Sequence, residues 1–205
     1  MKEIVMRILK SVKIILINLL ALKSFADVEA SVKSLPVKQA IKVPFVSHEK
    51  EHYLSQSLDF KIFEPYFLDL NKYTSQVLKN RGEAHITVIT PPEFESAEGD
   101  LGQFVSMAEI NEIAQKFKLQ ETPFKIICLG RGLHEEKDQK METYFIVLQS
   151  KAALKVREQV AKLYKKRGGQ KFNPHHFYPH ITLGFSHRDL HEKDGVIKNK
   201  ESCLK

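Results

Sequence analysis

Apolar and polar positions along this chain recur with two different periods, and the switches between them mark its elements. Tyr66, Leu70, Tyr73 and Val77 recur at helical spacing, with Pro65 suited to a first turn and Gly82 to an end. That pattern predicts a helix running from residue 64 toward Gly82. The β-branched run 83–90, stopped by Pro91-Pro92, predicts a strand. Ser106-Met107-Ala108-Glu109 has the form of a capping box ahead of Met107, Ile110, Ala114 and Phe117 on one helical face. Residues 124–129 and 143–148 read as two strands joined by a polar loop containing Gly130-Arg131-Gly132. Ala153, Val156, Val160 and Leu163 align on a helix over 152–166, closed by Gly168-Gly169, and a loop rich in Pro and His (173–179) leads into a strand at 180–185. Residues 27–58, polar and mixed with Pro36 and Pro44 as breakers, are expected to form an arm with little regular structure. The order helix–strand, helix–strand–strand, helix–strand is that of an α+β domain, here assigned to residues 59–205.

The chain of 205 residues is 42% hydrophobic and 28% charged, which excludes a disordered chain, a collagen-like repeat and a disulfide scaffold. Its formal charge of +7 is unevenly placed. Residues 1–26 hold Lys2, Arg7, Lys10, Lys13 and Lys23 against Glu3 alone, so four of those charges fall there and +3 remains for the rest. A dense nucleic-acid footprint over the whole body is therefore not implied. The same stretch has the layout of a secretory signal peptide: a basic region, the apolar run 14–22, then Ser24-Phe25-Ala26 with small residues where a signal peptidase cuts. Nine residues, Asn18 among them, are well short of the ~20 needed to cross a bilayer. The expectation is export, with cleavage after Ala26, a periplasmic or secreted location and no stable membrane insertion afterwards. Cys128, in an apolar run, and Cys203, near the C-terminus, are expected to be structural or incidental and not paired.

In a strand, successive side chains point to opposite faces. His85 and Thr87 therefore share a face while Ala84, Ile86 and Val88 take the other. The same holds for His180 and Thr182 in front of Ile181, Leu183 and Phe185. Each half of the chain thus supplies a strand beginning His-Ile-Thr. If the two strands meet, two imidazoles and two hydroxyls line one cleft. Imidazole titrates near neutrality, so one His can act as base and the other as acid, a division of labour suited to phosphodiester cleavage. Hydroxyls of Thr87 and Thr182 would hold the non-bridging phosphate oxygens.

The motifs His85-Ile86-Thr87-Val88 and Pro179-His180-Ile181-Thr182-Leu183-Gly184 resemble those of the 2H phosphoesterase superfamily. The longer strings Gly82 to Pro92 and Pro179 to Phe185, with Arg188-Asp189-Leu190-His191 and Asp194-Gly195-Val196, are similar to its Swiss Army Knife branch. The resemblance implies a two-lobed α+β fold, with two antiparallel sheets related by a pseudo-twofold, a central cleft and helices outside. It implies metal-independent hydrolysis of 2′,3′-cyclic nucleotides or related RNA-end phosphoesters, with His85 and His180 as the catalytic pair and Thr87 and Thr182 as phosphate binders. A secretory leader departs from the cytosolic setting of RNA-end repair.

Three further features bear on this chemistry. Tyr178, with Phe177, could stack on a base at the cleft mouth, since aromatic faces hold bases of any sequence. Arg131 could serve a phosphate as a bidentate donor. His175, His176 and His180 form a His-His-x-x-x-His string, and His187 and His191 are spaced by four. Solvated loop histidines are the expectation over a zinc site, because no nearby Asp or Glu completes a familiar pattern. Ser106 and Ser150 read as helix caps. The expected protein is a monomer without a cofactor, acting on a small cyclic phosphoester or an RNA terminus. The alternative is a secreted module that binds phosphorylated ligands or RNA without turning them over.

Overall fold

The computed structural model of the chain describes residues 25–95 and 99–204. The basic and apolar stretch of the expected leader lies outside the described residues. The expected processing point after Ala26 falls within helix α1 (Phe25–Lys33), whose Val28 and Val32 are buried and whose Phe25 ring stacks on Tyr144 with centroids 5.8 Å apart. Helix α2 (Val37–Ala40) and strand β1 (Leu54–Leu58) follow. The segment 27–58 is therefore not an irregular arm. Val28, Val32 and Leu35 are buried at helical spacing, and helix α1 is held by the tertiary surface it packs on, the usual source of stability for short helices. Among the described residues no helix is long and apolar enough to cross a membrane.

Helix α3 spans Phe60–Leu70, starting and ending earlier than its periodicity suggested. Asp59 caps it, its carboxylate accepting from the Lys61 N–H at 3.1 Å. Pro65 lies inside the helix and not in its first turn. Beyond Leu70 the chain turns, and the Asn71 side chain accepts from the Leu78 N–H at 2.7 Å, so Tyr73 and Val77 fall outside the helix.

Strand β2 (Ala84–Ile89) pairs antiparallel with β1, placing Ser57 opposite His85 and Ser55 opposite Thr87. Helices α4 (Pro91–Glu95), α5 (Leu101–Phe104) and α6 (Met107–Lys116) follow, and the capping box at Ser106 and Glu109 forms as read. Strands β3 (Lys125–Glu136) and β4 (Gln139–Gln149) make a hairpin much longer than the two expected strands. Lys137 and Asp138 close it with φ of 51° and 63°, the left-handed geometry a two-residue hairpin turn requires. Gly130-Arg131-Gly132 thus lies within β3 and not in a loop. A Cβ on Gly130 would come 2.5 Å from the Phe145 ring, and one on Gly132 would come 2.3 Å from Val196, so these glycines mark close approach inside the sheet.

Helix α7 (Lys151–Lys166), capped by Ser150, leads through the 173–179 loop to β5 (His180–Phe185), which pairs with β4 in the order β3-β4-β5. The tail then runs back along β3, where the Leu204 N–H donates to the Leu129 carbonyl at 2.9 Å. That return brings Cys203 to Cys128, Cα atoms 5.7 Å apart, and the two form a disulfide. The sequence reading left them unpaired because nothing local indicates that the tail retraces β3.

The result is α+β with two antiparallel sheets. Strands β2 and β5, one from each sheet, pack against each other. Reciprocal backbone bonds between Lys79 and Phe185 (2.7 and 3.0 Å) tie the segment before β2 to the end of β5. Ala84 and Ile86 from β2 join Ile181 and Leu183 from β5 in one core with α1 and α3. With their apolar faces turned to a common core, both strands present their polar faces to a common cleft.

Candidate active site

The alternation expected from sequence holds on both strands. Ala84, Ile86 and Val88 are buried while His85 and Thr87 are half-exposed, and Ile181 and Leu183 are buried in turn behind His180 and Thr182. All four polar side chains line one cleft of about 800 Å³. Tyr53, Arg81, Phe172, Phe177, Tyr178, Asp189 and Lys198 also line it.

Each imidazole has its own setting. Nδ1 of His180 lies 2.8 Å from the Tyr178 carbonyl, which can only accept, so the proton sits on Nδ1 and Nε2 is the free ring nitrogen. Burial, and then the charge of Lys198, push this imidazole down to about 3, so it is neutral at ordinary pH. Burial also lowers the basicity of His85, but less completely. Glu83, whose carboxylate lies 3.9 Å from the His85 Nδ1, favours the protonated form, while Arg81 and His48 oppose it. Tyr53 leans toward His85 at 6.4 Å between centroids and stacks on His48 at 4.1 Å.

Behind β5 lies a buried charged network. Lys198 donates to Asp189 at 2.7 Å and to the Thr182 hydroxyl at 3.3 Å. Asp189 accepts from Thr143 (2.8 Å) and Thr182 (3.1 Å). Burial alone would raise the Asp189 pKa, but the ammonium of Lys198 and the bonds it receives hold it at about 2. Arg188 grips Asp194 through two bonds of 2.7 and 2.8 Å, shaping the turn that carries Asp189.

Arg157 organises the approach to the second motif. Its guanidinium is almost fully buried, pairs with both Glu93 oxygens (2.7 and 3.1 Å) and donates to the carbonyls of Val88, Asn173, Pro174 and His176. The rings of Phe172 and Phe177 flank it at 4.8 and 4.9 Å. One planar donor set thereby fastens the end of β2 to the loop that delivers His180, a use that Arg suits and Lys does not.

Tyr178 lines the cleft. Arg131 does not: it sits opposite Tyr144 on the β3–β4 ladder, and its charge acts on the Tyr144 hydroxyl. His176 and His191 line the cleft, but His176 bonds to Glu192 at 2.7 Å, while His187 lies outside, by Gln139. Among the described residues no three His, Cys, Asp or Glu side chains converge as a metal-binding group. Sequence reasoning missed Arg157, whose place on the buried stripe with Ala153 and Val160 could have marked it, and Lys198, which no local signal distinguishes from its neighbours.

A comparison with protein-family models matches residues 52–191 to the Swiss Army Knife, 2H phosphoesterase domain. The match takes in both His-Ile-Thr strands and more than half of the chain, so this chain belongs to that family of phosphoesterases. No curated protein and no solved structure matches it.

Proposed function

We propose that the cleft hydrolyses cyclic phosphodiesters of the 2′,3′-cyclic nucleotide or RNA-terminal type, with His180 as general base and His85 as general acid. The observation that carries this reading is that both imidazoles line one cleft from two strands packed side by side. His180 is suited to the base role by its fixed tautomer, which leaves a lone pair on Nε2, and by being neutral at ordinary pH. His85 is suited to the acid role by its greater exposure and by Glu83.

In the reaction, water attacks phosphorus as its proton passes to His180. The bond from phosphorus to one ribose oxygen breaks, and His85 gives its proton to that departing oxygen. The product is a phosphomonoester, and no step is routed through a metal. Thr87, whose hydroxyl has no hydrogen-bond partner among the described residues, is available to donate to a non-bridging oxygen. Tyr178 and Tyr53 offer aromatic faces for a base.

The test is hydrolysis of a 2′,3′-cyclic nucleotide by the full chain after chelator treatment. Product formation is the expected result, and binding without product would favour a non-catalytic phosphate-binding module. Export is part of the same proposal, and mass spectrometry of the mature N-terminus, expected at Asp27, tests it.

A further inference from the structure

The resemblance of the two motifs casts Thr182 and Thr87 as equivalent phosphate donors, but their surroundings are not equivalent. A hydroxyl has one proton to give. Asp189, held ionised, can only accept, and the Lys198 ammonium can only donate. The Thr182 oxygen lies between them, 3.1 Å from the carboxylate and 3.3 Å from the ammonium, so its single proton goes to Asp189. What Thr182 has left to present is a lone pair, which repels a phosphate oxygen.

Lys198 has the opposite capacity. It carries three N–H donors, of which two are engaged, by Asp189 and Thr182. Its side chain is 3% exposed yet lines the cleft, so its charge acts where water does not screen it. Its ammonium also lies over the Phe145 ring, 5.5 Å from the centroid. A buried ion pair is weak evidence of stabilisation, since apolar residues of similar volume often serve a core as well.

We infer that Lys198, and not the Thr182 hydroxyl, is the group that contacts the substrate phosphate on the β5 side of the cleft, with Thr87 as its counterpart on the β2 side. Thr182 and Asp189 then serve as the cradle in which the ammonium sits. Reaching the cleft from the C-terminal segment, Lys198 lies beyond residues 52–191 and outside both His-Ile-Thr motifs. This inference rests on the reading of the cleft as a phosphoester site, but a binding measurement separates the two.

Inorganic phosphate is the probe, titrated against the full chain by calorimetry, with turnover of 2′,3′-cyclic AMP measured in parallel. Lys198→Met alone leaves Asp189 without its cation and can compromise folding, so the decisive variant is Lys198→Met with Asp189→Asn, which removes both charges together. That double variant is expected to keep a cooperative melt, to bind phosphate at least tenfold more weakly, and to lose about 10²-fold in kcat/KM, the scale for one lost oxyanion donor. Thr182→Val is expected to stay within a few-fold of the wild type in phosphate affinity. A double variant that binds phosphate like the wild type overturns the inference. So does a Thr182→Val variant that loses as much affinity as the double variant, or a wild type that binds no phosphate at millimolar concentration. A wild type that binds phosphate but turns over no cyclic ester overturns the enzymatic reading instead, and the affinity comparison still decides the role of Lys198.

Discussion

On β2, His85 is partly open to solvent with Glu83 3.9 Å away, and the Thr87 hydroxyl has no partner among the described residues. On β5, His180 is buried with Nδ1 bound to a carbonyl, and Thr182 is enclosed by Asp189 and Lys198. The two strands offer the same pair of side chains to the same cleft. They differ in what stands behind those side chains, and that difference breaks the symmetry of the motif. One imidazole is kept neutral in the free protein by burial and a cation, while the other keeps access to water and to an anion. Two identical triplets can thus take opposite proton-transfer roles, because a role is set by environment and not by residue type.

The sharpest way to break this comparison is to remove each imidazole in turn. His85→Ala and His180→Ala should each lower kcat/KM by 10² to 10⁴, the usual range for a general acid or base, measured on a 2′,3′-cyclic nucleotide. Next comes the network behind β5. Asp189→Asn strands Lys198 without its carboxylate and should cost about 3–5 kcal/mol of stability by chemical denaturation. The matching change on the β2 side, Glu83→Gln, touches an exposed group and should stay within about 0.5 kcal/mol. Cys203→Ser releases the tail that carries Lys198. It should cost about 2–4 kcal/mol and depress turnover along with stability, as reduction of the wild type also should.

The smallest effect is on pH dependence. With His180 proposed as base and His85 as acid, kcat/KM should be bell-shaped between their two pKa values, since the base must be neutral and the acid protonated. Both are lowered in the free protein, His180 further, so the window opens below the ordinary imidazole value and closes as pH rises through His85. The optimum of kcat/KM should fall below about pH 6.5, the unperturbed imidazole value, and Glu83→Gln should move the alkaline limb further down.

What the sequence made legible follows the range of the interaction involved. The two His-Ile-Thr strands could be read because alternation is a local rule, and so could the caps at Ser106 and Ser150, whose partners lie three residues away. Helix α1 was missed although Val28, Val32 and Leu35 are helically spaced, because so short a run among polar residues says little until the surface it packs on is known. The Gly130-Arg131-Gly132 run was misread because glycine marks both turns and tight packing, and only Phe145 and Val196 decide between them. The disulfide, the Arg157–Glu93 pair 64 residues apart and the Lys198–Asp189–Thr143 network all depend on which segments meet. Asp189 stood within a string that resembled the family, yet its task became visible only with Lys198 beside it.

The central claim, that His85 and His180 work as an acid–base pair on one phosphate, is tested most directly by the turnover of 2′,3′-cyclic AMP by the chelator-treated wild type and the two His→Ala variants. The account predicts robust product from the wild type and a loss of at least 10²-fold in each variant, with folding intact by circular dichroism. Wild-type activity retained by either variant would contradict it.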